Sequence, residues 1–166
     1  ETRIDDRPVT IHTPATAHAL GFRFIHQEMN VVPALSVAEN IFIGRRYPTR
    51  GVFVDWRKLE ATARDALEKL GITHIDPRRK IAQLSLGDQM LVRISSAFLS
   101  EDGAPARLYV MDEPTAGLAG EEAERLFRVL REIRAAGRSV LYVSHRIDEV
   151  MALCDRATVL RDGTTI

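Results

Sequence analysis

The apolar run Val110-Met111 ends in two adjacent carboxylates, Asp112 and Glu113, followed by Pro114; 32 residues beyond Glu113 a second apolar run ends in His145. A carboxylate suits a hard cation such as Mg²⁺, which prefers oxygen ligands and keeps most of its waters. A second carboxylate one residue further on can polarise a water aimed at a γ-phosphate, and a neutral imidazole can donate to a phosphate oxygen. Taken alone, Asp112-Glu113-Pro114 also reads as a turn opening the next segment, and His145 as a hydrogen-bonded structural residue. Gln27, after the apolar run Phe22–Ile25, carries no signal by itself. Ser85-Leu86-Gly87-Asp88-Gln89 combines a hydroxyl, a small backbone position and a helix start, which suits an anion as well as a plain N-cap. The usual phosphate cradle, Gly-x-x-x-x-Gly-Lys, is absent, since no glycine in the chain is followed by lysine.

These residues need a scaffold that delivers them to one place, and the periodicity supplies one. Strands are predicted at Pro8–Ile11, Phe22–His26, Leu108–Asp112, Ser139–Val143 and Ala157–Leu160, the last turned at Asp162-Gly163. A short helix is expected over Ala15–Leu20, and Ser36-Val37-Ala38-Glu39 reads as a capping box opening a helix through Ile43, with Gly44 after it. Asp55 caps a helix to Leu70 whose stripe is Leu59, Ala63, Ala66, Leu67 and Leu70, stopped by Gly71. Ser85 opens a helix to about Leu99. Another begins at Glu121 and Glu122, with Leu126, Leu130 and Ile133 on one face and Gly137 at its end. A short one covers Asp148–Leu153. Short, almost continuously apolar strands separated by helices imply an α/β fold with a parallel sheet covered on both faces. In such sheets ligands gather at the carboxyl ends of strands, where Gln27, Asp112, Glu113 and His145 fall.

At 166 residues the length fits one domain able to bury a core without disulfides. Twenty-three basic and 23 acidic side chains give a net charge of zero, which removes charge as a reason to expect nucleic-acid binding. The lone Cys154 lies among Val150, Met151 and Leu153 and reads as a small buried hydrophobe of a reduced, cytosolic protein. No apolar stretch approaches the ~20 residues of a membrane span. Glu1–Asp6 shows neither a signal-peptide core nor an initiator Met, so a truncated or processed chain is expected.

The order Gln27, Leu84–Gln89, Val110–Pro114, His145 resembles the ATP-binding-cassette ATPases, as their Q-loop, signature, Walker B and switch histidine. Phe24–Asn30, Ser36–Gly44 and Val143–Arg146 are similar to monosaccharide importers of the ribose, xylose and galactose type, and the Leu-Ser-x-Gly-Asp-Gln signature looks like the first of the two cassettes found in one chain in that branch. The resemblance covers about residues 20–166. It implies a partial P-loop NTPase core of ABC type: residues 1–27 and 104–166 as ATPase core, and 28–100 as an α-helical subdomain facing a permease. The Walker A part is missing, so an apolar sheet face or edge should lie uncovered.

Carried onto matching positions, the resemblance implies ATP and Mg²⁺ as cofactors. Asp112 serves the metal. Gln27 touches Mg²⁺ or the attacking water and relays nucleotide state to the permease. Glu113 is the base, and His145 contacts the γ-phosphate. Ser85, Gly87 and Gln89 act in trans, on ATP held by a second cassette. The parent would hydrolyse ATP at the cytoplasmic face of a bacterial membrane, with an integral membrane permease and, indirectly, a sugar-binding protein as partners and no nucleic acid. Leu86 stands where most cassettes have glycine, although this branch often has an aliphatic. Ala119 stands where an aspartate is usual, so no carboxylate role is carried onto it. Two other readings share the motifs: a cassette module that binds or regulates without turnover, and a soluble cassette ATPase of nucleic-acid repair or translation. The first predicts no ATPase even with an upstream segment restored, and the second a pull-down of DNA in place of a membrane subunit.

Overall fold

The three apolar runs that end in candidate site residues pair side by side. In a computed structural model describing residues 2–25, 31–99 and 106–166, β3 (Phe22–Ile25), β6 (Leu108–Asp112) and β7 (Ser139–Val143) form a parallel sheet in the order β3-β6-β7. Phe24 lies opposite Val110, Val110 opposite Leu141, and Asp112 opposite Val143. All three strands therefore end at the same edge, as the apolar runs predict. Two of them match the sequence limits residue for residue, and His26 lies outside the described residues.

Around this sheet lie α1 (Pro14–Ala19), α2 (Val37–Ile41), α3 (Trp56–Glu68), α4 (Leu86–Ser96), α5 (Gly120–Ala135) and α6 (Ile147–Leu153), with a 3₁₀ turn at Ile81–Gln83. Helix starts follow the expected caps. Ser36 Oγ accepts from the Glu39 amide while Glu39 Oε2 accepts from the Ser36 amide, a complete capping box. Asp55 and Ser85 accept from the amides of Lys58 and Asp88. Gly44, Gly71 and Gly137 follow α2, α3 and α5 at φ 78°, 67° and 73°, the left-handed turn that ends a helix without a Cβ penalty. The predicted stripes of α3 and α5 are the buried ones. One hydrophobic cluster joins Leu59 and Leu67 of α3, Leu91 and Ile94 of α4, Leu126 and Ile133 of α5, and Tyr109 and Met111 of β6.

Asn40 is one of the buried polar residues, 1% exposed. Its Oδ1 accepts from the Val32 amide at 2.8 Å, and its Nδ2 donates to the carbonyls of Val32 and Ser36 at 3.2 and 2.8 Å, tying the 31–36 loop onto α2. Arg45 holds the far end of α4, Nη2 donating to the Ser96 carbonyl at 2.7 Å and Nη1 to that of Leu99.

Three two-stranded hairpins complete the fold: β1 (Thr2–Ile4) with β2 (Arg7–Val9), β4 (Thr49–Arg50) with β5 (Phe53–Val54), and β8 (Leu160–Arg161) with β9 (Thr164–Thr165). Two of them correct the sequence reading. Asp5 and Asp6 both adopt positive φ, as a two-residue hairpin turn requires, and Thr2 pairs with Val9, so the strand expected at Pro8–Ile11 instead covers Arg7–Val9. The turn at Asp162-Gly163 is as expected, but it fixes the pairing as Leu160–Arg161 with Thr164–Thr165, leaving Ala157, Thr158 and Val159 outside the strand. The expectation of a sheet covered on both faces is also corrected. Leu141 and Val143 are 52% and 47% exposed, because the helices packed on the sheet cover the face of Tyr109 and Met111, and the opposite face stays open. That open face meets the other expectation, of an uncovered apolar surface. Cys154, expected to be buried, is only partly so and closes α6.

Two outcomes follow. Asn40→Ala leaves several loop groups unsatisfied and should lower unfolding stability by about 1–3 kcal/mol in a denaturant titration. The 166-residue chain should self-associate in light scattering, and Leu141→Thr with Val143→Thr should raise the concentration at which it does so.

Candidate functional site

Glu113 leaves the sheet abruptly. It follows the last residue of β6 and adopts φ 45°, a left-handed conformation that favours glycine and costs a non-glycine residue of order 1 kcal/mol or more. The conformation is held from both sides: the Glu113 amide donates to the Val143 carbonyl at 2.9 Å, extending the ladder to β7, and the Glu113 carbonyl accepts from the Ala116 amide at 3.0 Å. Pro114 then prevents the strand from continuing.

His145 stands two residues past β7, and its Nδ1 lies 2.7 Å from Glu113 Oε1. The ring is 75% exposed and the carboxylate 29%, so the pair sits at the surface edge where a ligand can reach it. An ionised carboxylate only accepts, so this contact places a proton on Nδ1. Nε2 then offers a lone pair while the ring is neutral and donates only as imidazolium. That sharpens the expected donation to a phosphate oxygen, which the neutral ring makes through Nδ1 only if Glu113 releases it. Asp112 closes β6 on the same edge, exposed, with no hydrogen bond or ion pair among the described residues. An exposed carboxylate without such a partner fits the donor set of a Mg²⁺ that keeps its waters. Gln27 lies outside the described residues.

Ser85, Gly87 and Gln89 form a second group, on α4 and facing α5. Ser85 is the N-cap. The Gly87 amide donates to Glu122 Oε1 at 3.2 Å, while Glu122 Oε2 accepts from the Ala119 amide at 3.0 Å. Gln89 Nε2 donates to the Leu84 carbonyl at 3.1 Å. A Cβ on Gly87 would fall 2.6 Å from Glu122 Cβ, so glycine is needed here for packing within the chain. Leu86, the departure from the usual signature, points outward. Asp88 Oδ1 accepts from Arg125 Nη1 at 3.2 Å and lies 2.9 Å from His74 Nε2, a second tie to α5. Among the described residues no hydrogen bond or ion pair joins this group to Asp112, Glu113 or His145.

The sequence reading missed Glu122 and Glu149. Glu122 looked like a favourable charge in the first turn of α5, and the signal for more was its place three residues after Ala119, where a capping-box acid belongs. The Ser85 hydroxyl first, then the Ala119 and Gly87 amides, hold its carboxyl below the ordinary value of 4.5. Glu149 lay inside the short helix predicted over Asp148–Leu153 and drew no reading of its own. It is buried and accepts from Tyr142, Thr115 and Ser144. Burial first, and then the Glu149 carboxylate, push the Tyr142 phenol up.

Comparison with known proteins identifies the family. The sequence profile of the family described as ABC transporter matches residues 1–116. The chain is 42% identical over 163 residues to a ribose import ATP-binding protein of Chromobacterium violaceum, covering 98% of this chain and 32% of that one. It is 43% identical over 166 residues to a ribose import ATP-binding protein of Rubrobacter xylanophilus, covering 100% of this chain and 32% of that one. A protein of Burkholderia ambifaria assigned to ribose, galactose or methyl galactoside import is 45% identical over 162 residues, covering 98% and 30%. The chain thus spans about a third of the length of these relatives. Among solved structures, an ATP-binding cassette of an ABC transporter in its ADP conformation superposes with a TM-score of 0.77 at 27% identity, over 97% of this chain and 65% of that one. A nucleotide-free cassette superposes at 0.76 and 26%, over 98% and 66%.

Glu122 yields a pH signature. Its folded value lies below 4.5, so its contacts stabilise the fold fully above the ordinary carboxylate range and are lost as pH falls through the lower folded value. Thermal unfolding of Glu122→Ala against pH should show a shallower acid-side fall than the parent, and identical slopes would remove Glu122 from the coupling.

Proposed function

Because the chain belongs to the ABC transporter family, we propose that it is the part of a monosaccharide importer ATPase that supplies the water-activating edge and the signature helix. The observation carrying this reading is the 2.7 Å contact between Glu113 and His145 at the carboxyl edge of a parallel sheet. In the proposal residues 28–100 are the subdomain facing a permease, and residues 1–27 and 104–166 belong to the ATPase core. The whole protein would hydrolyse ATP at the cytoplasmic face of the membrane to drive sugar uptake, with a permease, a second cassette and, indirectly, a sugar-binding protein as partners. No helix of the described residues is long and apolar enough to cross a membrane, so this chain would meet the bilayer only through the permease.

Asp112 would hold Mg²⁺, directly or through water, and a bound Mg²⁺ supplies positive charge to the phosphates of ATP. Glu113 Oε1 is committed to His145 Nδ1, which leaves Oε2 to take the proton of the attacking water. The shared contact orients both groups, and His145 would donate to a terminal phosphate through Nε2 as imidazolium, or through Nδ1 once Glu113 releases it. Gln27 would report the presence of nucleotide to the permease. Ser85, Gly87 and Gln89 would act on nucleotide of the opposing cassette, and ordering by Ser85 and Glu122 would preset the α4 terminus for that contact.

The test is made on the full-length protein. Glu113→Gln should lower the ATP hydrolysis rate by about 100-fold or more while leaving ATP binding intact, because amide oxygen keeps the shape and loses the base. Unchanged turnover would sink the base assignment, and absence of ATP hydrolysis by the intact parent would favour a module without turnover.

A further inference from the structure

Glu149 is 2% exposed, on a short helix at the margin of the fold, and its carboxylate gathers partners from both sides of the proposed water-activating edge. Oε2 accepts from Tyr142 OH at 2.6 Å and from Thr115 Oγ1 at 2.8 Å, with Ser144 Oγ at 3.5 Å. Oε1 faces Arg146 Nη1 at 2.9 Å. The Ser144 hydroxyl in turn accepts from the Arg146 amide at 3.0 Å, closing the turn around His145. The placement of these partners is what matters. Thr115 is two residues past Glu113 and itself buried, Tyr142 is in the last turn of pleat before β7 ends, and Ser144 and Arg146 flank His145. One carboxylate thus fastens the turn carrying Glu113 to the turn carrying His145.

Stability alone is a weak reason for such a group, since a buried charge with its partners commonly does no better than apolar side chains of the same volume. Geometry is the stronger reason. Glu113 stands in a left-handed conformation and His145 on a largely exposed turn, so their contact depends on how the two turns are held relative to each other. We propose that Glu149 is a positioning residue that sets the Glu113–His145 contact by clamping Thr115, Tyr142, Ser144 and Arg146 on one carboxylate. This rests on the reading of Glu113 and His145 as the water-activating pair.

The experiment uses the full-length protein with Glu149→Gln, Glu149→Leu and Tyr142→Phe, and reads kcat, KM for ATP and the imidazole ¹⁵N signals of His145. Misplacing reacting groups by about 1 Å can lower rates 100-fold, so Glu149→Leu should lower kcat about 10- to 100-fold, leave KM for ATP within about twofold, and shift His145 away from the Nδ1-protonated form. Tyr142→Phe removes a single donor and no carbon framework, so it serves if Glu149→Leu fails to fold, and should move the same two readouts in the same direction. Glu149→Gln should fall between. A folded Glu149→Leu, or Tyr142→Phe in its place, with parental kcat and unaltered His145 signals overturns the proposal. Equal losses in kcat and nucleotide binding with unaltered His145 signals also overturn it, since that is what simple loss of structure would give. Glu113→Gln is run beside them: if it leaves hydrolysis intact, the functional reading has failed, while the His145 signals still decide whether Glu149 sets the contact.

Discussion

Parallel pairing of β6 between β3 and β7 is the constraint from which the rest of the arrangement follows. Because parallel strands run in one direction, their carboxyl ends share an edge, and residues more than a hundred positions apart in the chain are delivered there. The ladder continues one step past the strand through the Glu113 amide and the Val143 carbonyl, so the left-handed turn at Glu113 is built onto the sheet. The hydrophobic cluster beneath it, from α3 and α4 through Tyr109 and Met111 to α5, makes that sheet a rigid base for the site.

What could be read from the sequence was governed by how local each determinant is. The strands Leu108–Asp112 and Ser139–Val143 are short apolar runs bounded by polar residues or a turn, and both emerged at their expected limits. Helix starts at Ser36, Asp55 and Ser85 were legible because a cap is a contact between residues three apart. The hairpins were less so, since pairing depends on a partner strand: Asp5-Asp6 is a weaker turn signal than an Asx-Gly pair, and the Thr49–Val54 hairpin has almost no alternation to announce it. Glu122 and Glu149 were missed for one reason. Both sit in the first turn of a helix, where a favourable dipole is explanation enough, and their actual partners lie up to 35 residues away in the chain.

Backbone strain and a buried carboxylate meet at this one edge. A non-glycine residue with positive φ, an exposed imidazole held by a carboxylate, and a nearly inaccessible glutamate accepting from two neighbouring hydroxyl groups all lie within a few residues of Glu113 or His145. Among the other described residues, positive φ outside glycine is confined to the hairpin turns at Asp5-Asp6 and Asp162. The coincidence of these features within a few residues is what makes this edge the candidate site.

Glu122 lying against Gly87 changes how genetics at the signature helix should be interpreted. With Glu122 Cβ within 2.6 Å of where a Gly87 Cβ would stand, any side chain at position 87 is rejected by the protomer's own α5. A mutational scan would score Gly87 as indispensable whether or not a ligand ever touches it. Intolerance at this position reports on intramolecular fit, and only a variant that first opens space at Glu122 could separate that requirement from recognition across an interface.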